Sequence, residues 1–105
     1  MAENKSTTPV LTRREAIGAI RTALLSLPVV AAALCGSFAR EEQTPSSDID
    51  LLVSFKEGTG LDGVELTRRT LEEVTGRNVD LITTLNGQTK HFQDSIKRDG
   101  LRIYG

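Results

Sequence analysis

The sequence has few cysteines and few aromatic residues: one cysteine, no tryptophan, three phenylalanines and one tyrosine among 105 residues. The single cysteine, Cys35, excludes an internal disulfide, which is typical of proteins from a reducing compartment. We therefore expect a cytoplasmic protein. The four aromatic residues are too few and too scattered to form a surface on which successive bases of a nucleic-acid strand could stack.

The chain also lacks an excess of one charge and a long hydrophobic run. Thirteen basic residues against fourteen acidic ones leave a net charge of −1, which provides no general attraction for nucleic acid. The most apolar stretch, residues 24–34, contains Ser26 and Pro28 and is too short to span a membrane. Because it follows a charged helix and continues into the core, we do not interpret it as a signal peptide. We expect neither a nucleic-acid nor a membrane partner.

Length and patterning predict one domain with a short tail. A chain of 105 residues has room for one hydrophobic core. Residues 1–11 are polar and contain Pro9, so we predict a flexible N-terminal tail at 1–11 and a folded domain at 12–105.

The spacing of apolar residues predicts alternating helices and strands. Thr12 and Glu15 fit a capping box before an amphipathic helix that Pro28 ends, and Asp62 with Glu65 predicts a second capped helix. The predicted elements are, in chain order, a helix at 13–27, strands at 29–34 and 46–55, a helix at 62–75, a strand at 79–82, a helix at 88–99 and a strand at 101–104.

This order of elements predicts the fold class. Strands that alternate with helices form a sheet with the helices packed on it. Residues 36–47, between the first two strands, have room only for a turn or a one-turn helix, so we expect these two strands to pair antiparallel. The prediction is an α/β (α+β) domain with a mixed sheet of about four strands.

Three aspartates in predicted strands are candidate metal ligands. Asp48 and Asp50 are two residues apart and project from one face of their strand, whereas Ile49 and Leu51 project from the other. Aspartate is a poor strand former, and paired carboxylates raise each other's pKa unless positive charge lies between them. Mg²⁺ meets this need because it prefers oxygen ligands, and with Asp80 from another strand the site can hold two ions. Taken singly, each aspartate is more typical of a turn cap or an exposed strand position than of a metal ligand.

Gly36 and Ser37 come directly after the first apolar strand. A glycine at this point lets backbone amides approach a phosphate, and the serine hydroxyl adds a hydrogen-bond donor. By themselves these two residues are more typical of an ordinary turn at the end of a strand.

The motifs occur in a characteristic order. Gly36–Ser37 is followed by the ten residues 38–47, then by Asp48–Asp50, and later by Asp80 on a strand. This order resembles the DNA polymerase β-like nucleotidyltransferase superfamily, whose pattern is Gly-Ser, about ten residues, Asp-x-Asp and a later aspartate. The closest likeness is to its minimal, single-domain branch, called MNT, and it covers residues 12–104.

The resemblance implies a role for each motif residue. Gly36 and Ser37 would contact the β- and γ-phosphates of a nucleotide. Asp48 and Asp50 would bind two Mg²⁺ ions. Asp80 would complete the shell of the catalytic ion and help to deprotonate the attacking hydroxyl.

The residues after the Gly-Ser turn include a departure from the family pattern. Arg40 corresponds to a frequent family arginine and would neutralise phosphate charge, or would pair with Glu41 or Glu42. Family members usually have a glycine at the position of Glu41. Two acidic side chains beside a triphosphate would repel it unless they point away, so the departure concerns rate and affinity more than fold.

The resemblance also implies an activity and a partner. The activity is transfer of AMP from ATP to an acceptor hydroxyl, and we expect a partner protein to present it because the chain has no second helical domain. Minimal members are commonly encoded beside a HEPN-domain RNase toxin and, as antitoxins, add AMP to a tyrosine of that toxin. The implied partner is therefore a HEPN toxin in a hetero-oligomer. The alternative, favoured by Glu41 and Glu42, is a protein of the same fold that neutralises its partner by binding alone.

The last predicted helix carries a histidine to which we assign no chemistry. His91 has no cysteine or second histidine as a partner for a metal, so we interpret it as a surface residue. Phe92 and Ile96 of the same helix are predicted to point inward.

Overall fold

A computed structural model describes residues 11–105. Its elements are helix α1 at Arg13–Leu24, strand β1 at Val29–Cys35, helix α2 at Gly36–Ala39, strand β2 at Ile49–Phe55, helix α3 at Leu61–Thr75, strand β3 at Val79–Ile82, helix α4 at Lys90–Asp99 and strand β4 at Leu101–Tyr104. Of the predicted tail, Leu11 packs against the core, and the other residues lie outside the described range. The division into tail and domain stays a prediction.

The four strands of residues 11–105 form one mixed sheet in the order β3-β2-β1-β4. β1 pairs antiparallel with β2 and with β4, whereas β2 and β3 are parallel. The first pairing follows from the short connection, which holds only the one-turn helix α2. The parallel pairing of β2 with β3 requires a crossover connection, which α3 provides. The predicted mixed sheet with helices packed on it is confirmed.

The hydrophobic core lies between one face of the sheet and helices α1 and α3. Ala16, Ile20 and Leu24 recur at helical spacing along α1, and all three are fully buried, as is Leu71 of α3. Burying a side chain such as leucine contributes about 1.5–3 kcal/mol relative to leaving it exposed. The core covers one face of the sheet. The residues of the site lie on the other face.

Strand β2 shows the predicted alternation. Ile49, Leu51 and Val53 are buried in the core, whereas Asp50 and Leu52 point the opposite way and are half-buried. A shift of one residue would put a carboxylate into the core, so this register is strongly specified. Asp50 consequently lies on the face away from α1 and α3.

Helix α1 is shorter than predicted: it ends at Leu24 rather than at residue 27. The amides of Ser26 and Leu27 bond three residues back, each at 3.2 Å, in tighter turns that leave the helix. The residue before a proline avoids the helical conformation, so Pro28 keeps Leu27 out of the helix. Leu27 is still buried, which explains why it matched the helical period.

The predicted cap of α3 is wrong. The helix begins at Leu61 after Gly60, which makes no side-chain capping bond, and Asp62 lies within the first turn. Glu65 forms an ion pair with Arg68 along the helix and does not reach back to a cap. An exposed ion pair at this spacing stabilises the helix modestly.

The first residues of α1 and α4 agree better with the prediction. Thr12 and Glu15 form the predicted capping box, with both reciprocal bonds at 3.0 Å. Helix α4 begins at Lys90, two residues later than predicted, because Thr89 acts as its cap. Within residues 11–105, every helix is too short or too polar to span a lipid bilayer.

Candidate active site

The turn between β1 and α2 lies directly against a carboxylate of β2. Gly36 has a φ of +68°, in the left-handed region that favours glycine. A Cβ atom at Gly36 would lie 2.4 Å from Oδ2 of Asp50, so any larger residue would collide with that carboxylate. The backbone conformation and the available space both require glycine at position 36. The predicted phosphate turn therefore lies directly against Asp50, a predicted metal ligand.

Two of the predicted acidic residues are neighbours in the sheet. The parallel register of β2 and β3 places Asp50 directly opposite Asp80. Neighbouring strands are about 4.8 Å apart, which is close enough for the two carboxylates to interact strongly. Asp50 and Asp80 each follow a core residue, Ile49 and Val79 respectively, so both project from the face away from the core.

Partial burial and the neighbouring carboxylates raise the pKa of Asp50 from its ordinary value of 3.8 to about 6. Partial burial of the carboxyl group is the largest cause, followed by the charge of Asp80, a hydrogen bond to Asp80, and the charge of Asp48. The positive charge of Arg40 acts in the opposite direction. The ionised pair is therefore unfavourable by itself, and a cation between the two carboxylates would stabilise it.

Asp48 lies just before β2 and not within the strand as predicted. Ser47 Oγ accepts a hydrogen bond of 2.7 Å from the amide of Thr44, which closes a turn and delays the strand until Ile49. Asp48 is exposed, and its charge still reaches Asp50. Across residues 11–105, no three His, Cys, Asp or Glu side chains are already grouped as a metal site. Asp50 and Asp80 are thus the preformed pair, and Asp48 lies at its rim.

One cleft of about 560 Å³ contains all the predicted site residues. Its volume is within the usual range for small-molecule sites. The wall formed by the sheet and the turns contains Gly36, Ser37, Arg40, Ser47, Asp48, Asp50 and Asp80, and the wall formed by α4 contains His91, Phe92, Ser95 and Ile96.

The wall formed by α4 was not predicted. His91 is exposed as expected, yet it lines the cleft. Ile96 is buried, whereas Phe92, predicted to point inward, is only half-buried. The available signal was the pair Phe92 and Ile96, two apolar residues one turn apart on an otherwise polar helix that follows the strand of Asp80.

Arginines pair with both acidic residues that depart from the family pattern. Arg40 lines the cleft, and its Nε lies 2.9 Å from Oε1 of Glu42. Glu41 pairs with Arg13 of α1, with 3.5 Å between Nη2 and Oε1. The cleft lining described above includes neither Glu41 nor Glu42. Arg40 thus combines the predicted ion pair with a position on the cleft wall.

The backbone at Glu41 gives a first testable prediction. Glu41 has a φ of +57°, a left-handed conformation that costs an L-residue about 1–2 kcal/mol. Glu41→Gly and Glu41→Ala both remove the exposed pair with Arg13, but only glycine relieves the strain. We expect Glu41→Gly to be the more stable variant by about 1 kcal/mol in urea unfolding. Equal stabilities, or a more stable alanine variant, would contradict the conformation.

A known protein family matches most of the chain. The family described as "Polymerase beta, Nucleotidyltransferase" matches residues 20–105. The chain belongs to this family. The matched range contains every residue of the cleft, from Gly36 to Ile96, so the resemblance inferred from the Gly-Ser and Asp-x-Asp motifs is confirmed.

Individual proteins similar to this nucleotidyltransferase support the assignment. MJ0435 of Methanocaldococcus jannaschii, a candidate protein adenylyltransferase, is 47% identical over 60 residues, which are 57% of this chain and 64% of that protein. The match therefore spans less than two thirds of that relative. A solved structure of a candidate minimal nucleotidyltransferase has a TM-score of 0.66 and 28% identity, and the match covers 84% of this chain and 89% of that one.

A second solved structure shares the fold at lower identity. It is the complex of the tri-AMPylated HEPN toxin with the MNT antitoxin from Shewanella oneidensis. The TM-score is 0.61 with 17% identity, and the match covers 90% of this chain and 73% of the other chain.

The donors in the cleft fit Mg²⁺, the ion that the family resemblance implies. Asp48, Asp50 and Asp80 offer carboxylate oxygens, which are the ligands that Mg²⁺ prefers. The pairing of Asp50 with Asp80 across the sheet supports the fit: after partial burial, the charge of Asp80 is the next cause of the raised pKa of Asp50, and a bound cation would offset that charge.

Proposed function

We propose that this nucleotidyltransferase transfers AMP from ATP to a hydroxyl group of a partner protein in a reaction that requires Mg²⁺. The observation that carries the proposal is the adjacency of Asp50 and Asp80, with Gly36 packed against Asp50 in the same cleft. A phosphate turn beside paired carboxylates suits a triphosphate that arrives with divalent cations. The name of the relative MJ0435 supports a protein as the acceptor.

The turn would hold the leaving half of the nucleotide. The backbone of Gly36 and the backbone and hydroxyl of Ser37 would bind the β- and γ-phosphates, because both residues line the cleft beside the carboxylates. Arg40 adds positive charge from the same wall. Its exposed pair with Glu42 is weak enough to exchange for a phosphate oxygen.

The chemical step joins the acceptor oxygen to the α-phosphorus of ATP. The bond from the α-phosphorus to the oxygen that bridges to the β-phosphorus breaks, and pyrophosphate leaves with the electron pair. Asp80, the exposed member of the pair, takes the proton of the acceptor hydroxyl. Asp48, Asp50 and Asp80 would hold two Mg²⁺ ions, which neutralise the triphosphate and the leaving group when bound. The rate enhancement comes from positioning and charge neutralisation.

For the acceptor, we propose a tyrosine of a HEPN-domain toxin, held in a hetero-oligomer in the cytoplasm. Similarity of fold to the complex of an AMPylated HEPN toxin with its MNT antitoxin supports this partner class. The alternative of neutralisation by binding alone was favoured by Glu41 and Glu42. Their pairing with Arg13 and Arg40 supports the enzyme instead, because neither acid lines the cleft.

The position of the radioactive label tests the reaction. The protein is incubated with Mg²⁺, its proposed HEPN-domain partner, and ATP labelled at either the α- or the γ-phosphate. We expect label on the partner from α-labelled ATP only, and its loss in Asp48→Asn. Asp62→Asn, the same change at an exposed position of α3, serves as the control that keeps activity.

Two outcomes would contradict the proposal. Label from γ-labelled ATP would indicate phosphoryl transfer. A tight complex with the partner that acquires no label from either ATP would support neutralisation by binding alone.

A further inference from the structure

Phe92 differs from the other aromatic residues of the chain in its surroundings. Phe38 is fully buried, and Phe55 and Tyr104 pack against the hydrophobic core. Phe92 belongs neither to the core nor to the side chains that pack against it, and it is half-buried on the cleft wall. An aromatic ring that lies outside the main core cluster and lines a cleft is available to contact a ligand.

Ile96 extends the apolar surface beside Phe92, on a wall that also contains His91 and Ser95. Ile96 lies one helical turn further along α4, is buried, and lines the same wall. Like Phe92, Ile96 is not part of the main core cluster. The two side chains thus line the cleft from outside the main core cluster.

Helix α4 holds this surface in a defined position. The Thr89 hydroxyl accepts a 3.1 Å hydrogen bond from the Phe92 amide itself. Gln93 Nε2 donates to the carbonyl of Leu85 at 3.0 Å and to that of Gln88 at 3.1 Å, which ties the helix to the preceding loop. The ring is therefore carried by a capped and anchored first turn.

The cleft consequently has two chemically distinct sides. The side of Gly36, Asp50 and Asp80 suits phosphates and cations, and the side of Phe92 and Ile96 suits a planar apolar group. A nucleotide has the same division between its triphosphate and its base. We propose that Phe92 stacks on the base of the bound nucleotide and, with Ile96, forms the base subsite. This inference rests on the proposed use of ATP.

Stacking on Phe92 predicts a specific binding pattern. An aromatic ring stacks on every base, so Phe92 supplies affinity for nucleotides in general and no choice between adenine and guanine. Inorganic tripolyphosphate occupies only the phosphate side and makes no contact with the ring.

Calorimetric titration of the full chain in Mg²⁺ tests this pattern. Phe92→Ala is expected to weaken ATP and GTP by about the same factor, roughly tenfold, and to leave tripolyphosphate binding unchanged. Equal affinities for ATP in the wild type and Phe92→Ala would overturn the inference. A parallel loss for tripolyphosphate would also overturn it, because the ring would then only support the cleft. Both outcomes leave the proposed transfer reaction intact, whereas a wild type that binds no ATP would refute both proposals.

A second variant reports the contact without weakening the wall. The chain has no tryptophan, so Phe92→Trp introduces a single tryptophan, which can be excited selectively, at the proposed subsite. We expect ATP to quench its emission and tripolyphosphate to leave it unchanged. Leu61→Trp is the matched control, since Leu61 is 86% exposed at the start of α3 and outside the cleft lining. An emission of Phe92→Trp that does not respond to saturating ATP would refute stacking at this position.

Discussion

Asp50→Asn is expected to lower AMP transfer by about 10²- to 10³-fold or more while leaving the fold intact. The carboxylate lies opposite Asp80 and against Gly36, so its removal takes negative charge from the centre of the proposed cation site. Asparagine has the same shape and keeps the contact with Gly36. The loss is measured as label transferred from α-labelled ATP, with Asp62→Asn as the control that retains activity.

The same substitution is expected to stabilise the metal-free protein at neutral pH. Because folding raises the pKa of Asp50 from 3.8 to about 6, the folded state binds more protons than the unfolded state between these values. The contribution of Asp50 to stability is therefore fully present below pH 3.8 and is lost as the pH rises through about 6. Asparagine cannot ionise and avoids this loss.

The size and pH dependence of this gain can be measured by urea unfolding in EDTA. We expect Asp50→Asn to be more stable than the wild type by about 1 kcal/mol at pH 7.5, a value reduced for the partial exposure of the carboxyl group. Near pH 4 the two proteins should be nearly equal. A variant that is less stable than the wild type at pH 7.5 would show that Asp50 has a stabilising partner instead of repelling neighbours.

Gly36→Ala is expected to impair both the site and the fold. The new Cβ would lie 2.4 Å from Oδ2 of Asp50, so the carboxylate must rotate away from its position beside Asp80. Displacing a catalytic group by about 1 Å costs roughly 100-fold in rate. Alanine at a φ of +68° adds backbone strain, and we expect the stability to fall by about 1–2 kcal/mol.

Substitution of a second glycine distinguishes the effect of backbone strain from that of displacing the Asp50 carboxylate. Gly58 has a φ of +87°, and a Cβ there would meet nothing within 4 Å. It lies in the loop between β2 and α3, at the opposite end of β2 from Asp50. Gly58→Ala should therefore lose similar stability and keep full transfer activity. Equal losses of activity in the two alanine variants, or none in Gly36→Ala, would contradict the role of the close contact.

The architecture could be predicted largely from local pattern. Helical spacing in α1 and strand alternation in β2 reflect burial of one face, which the sequence records directly. The ends of elements were less predictable because single contacts decide them. The hydrogen bond from the Thr44 amide to Ser47 Oγ closes a turn, so β2 is shorter than predicted. Helix α3 begins after Gly60 and lacks the predicted Asp62 cap.

The site was predictable as a set of residues but not as a geometry. The spacing of the Gly-Ser turn and the three aspartates indicated the residues of one wall. The pairing of Asp50 with Asp80 depends on the register between two parallel strands, which the spacing alone does not define. Phe92 was missed because the position of α4 beside the cleft results from tertiary packing, and the left-handed backbone of Glu41 leaves no signal in its residue type.

The most direct test is calorimetric binding of a non-cleavable ATP analogue, in Mg²⁺ and in EDTA, to the wild type, Asp50→Asn and Asp62→Asn. If paired carboxylates and a glycine-serine turn bind the metal-bound triphosphate, Mg²⁺ should tighten binding by about tenfold or more in the wild type and in Asp62→Asn. Asp50→Asn should bind with nearly the same affinity in both buffers. An Asp50→Asn protein that keeps the full Mg²⁺ dependence of the wild type would contradict the account.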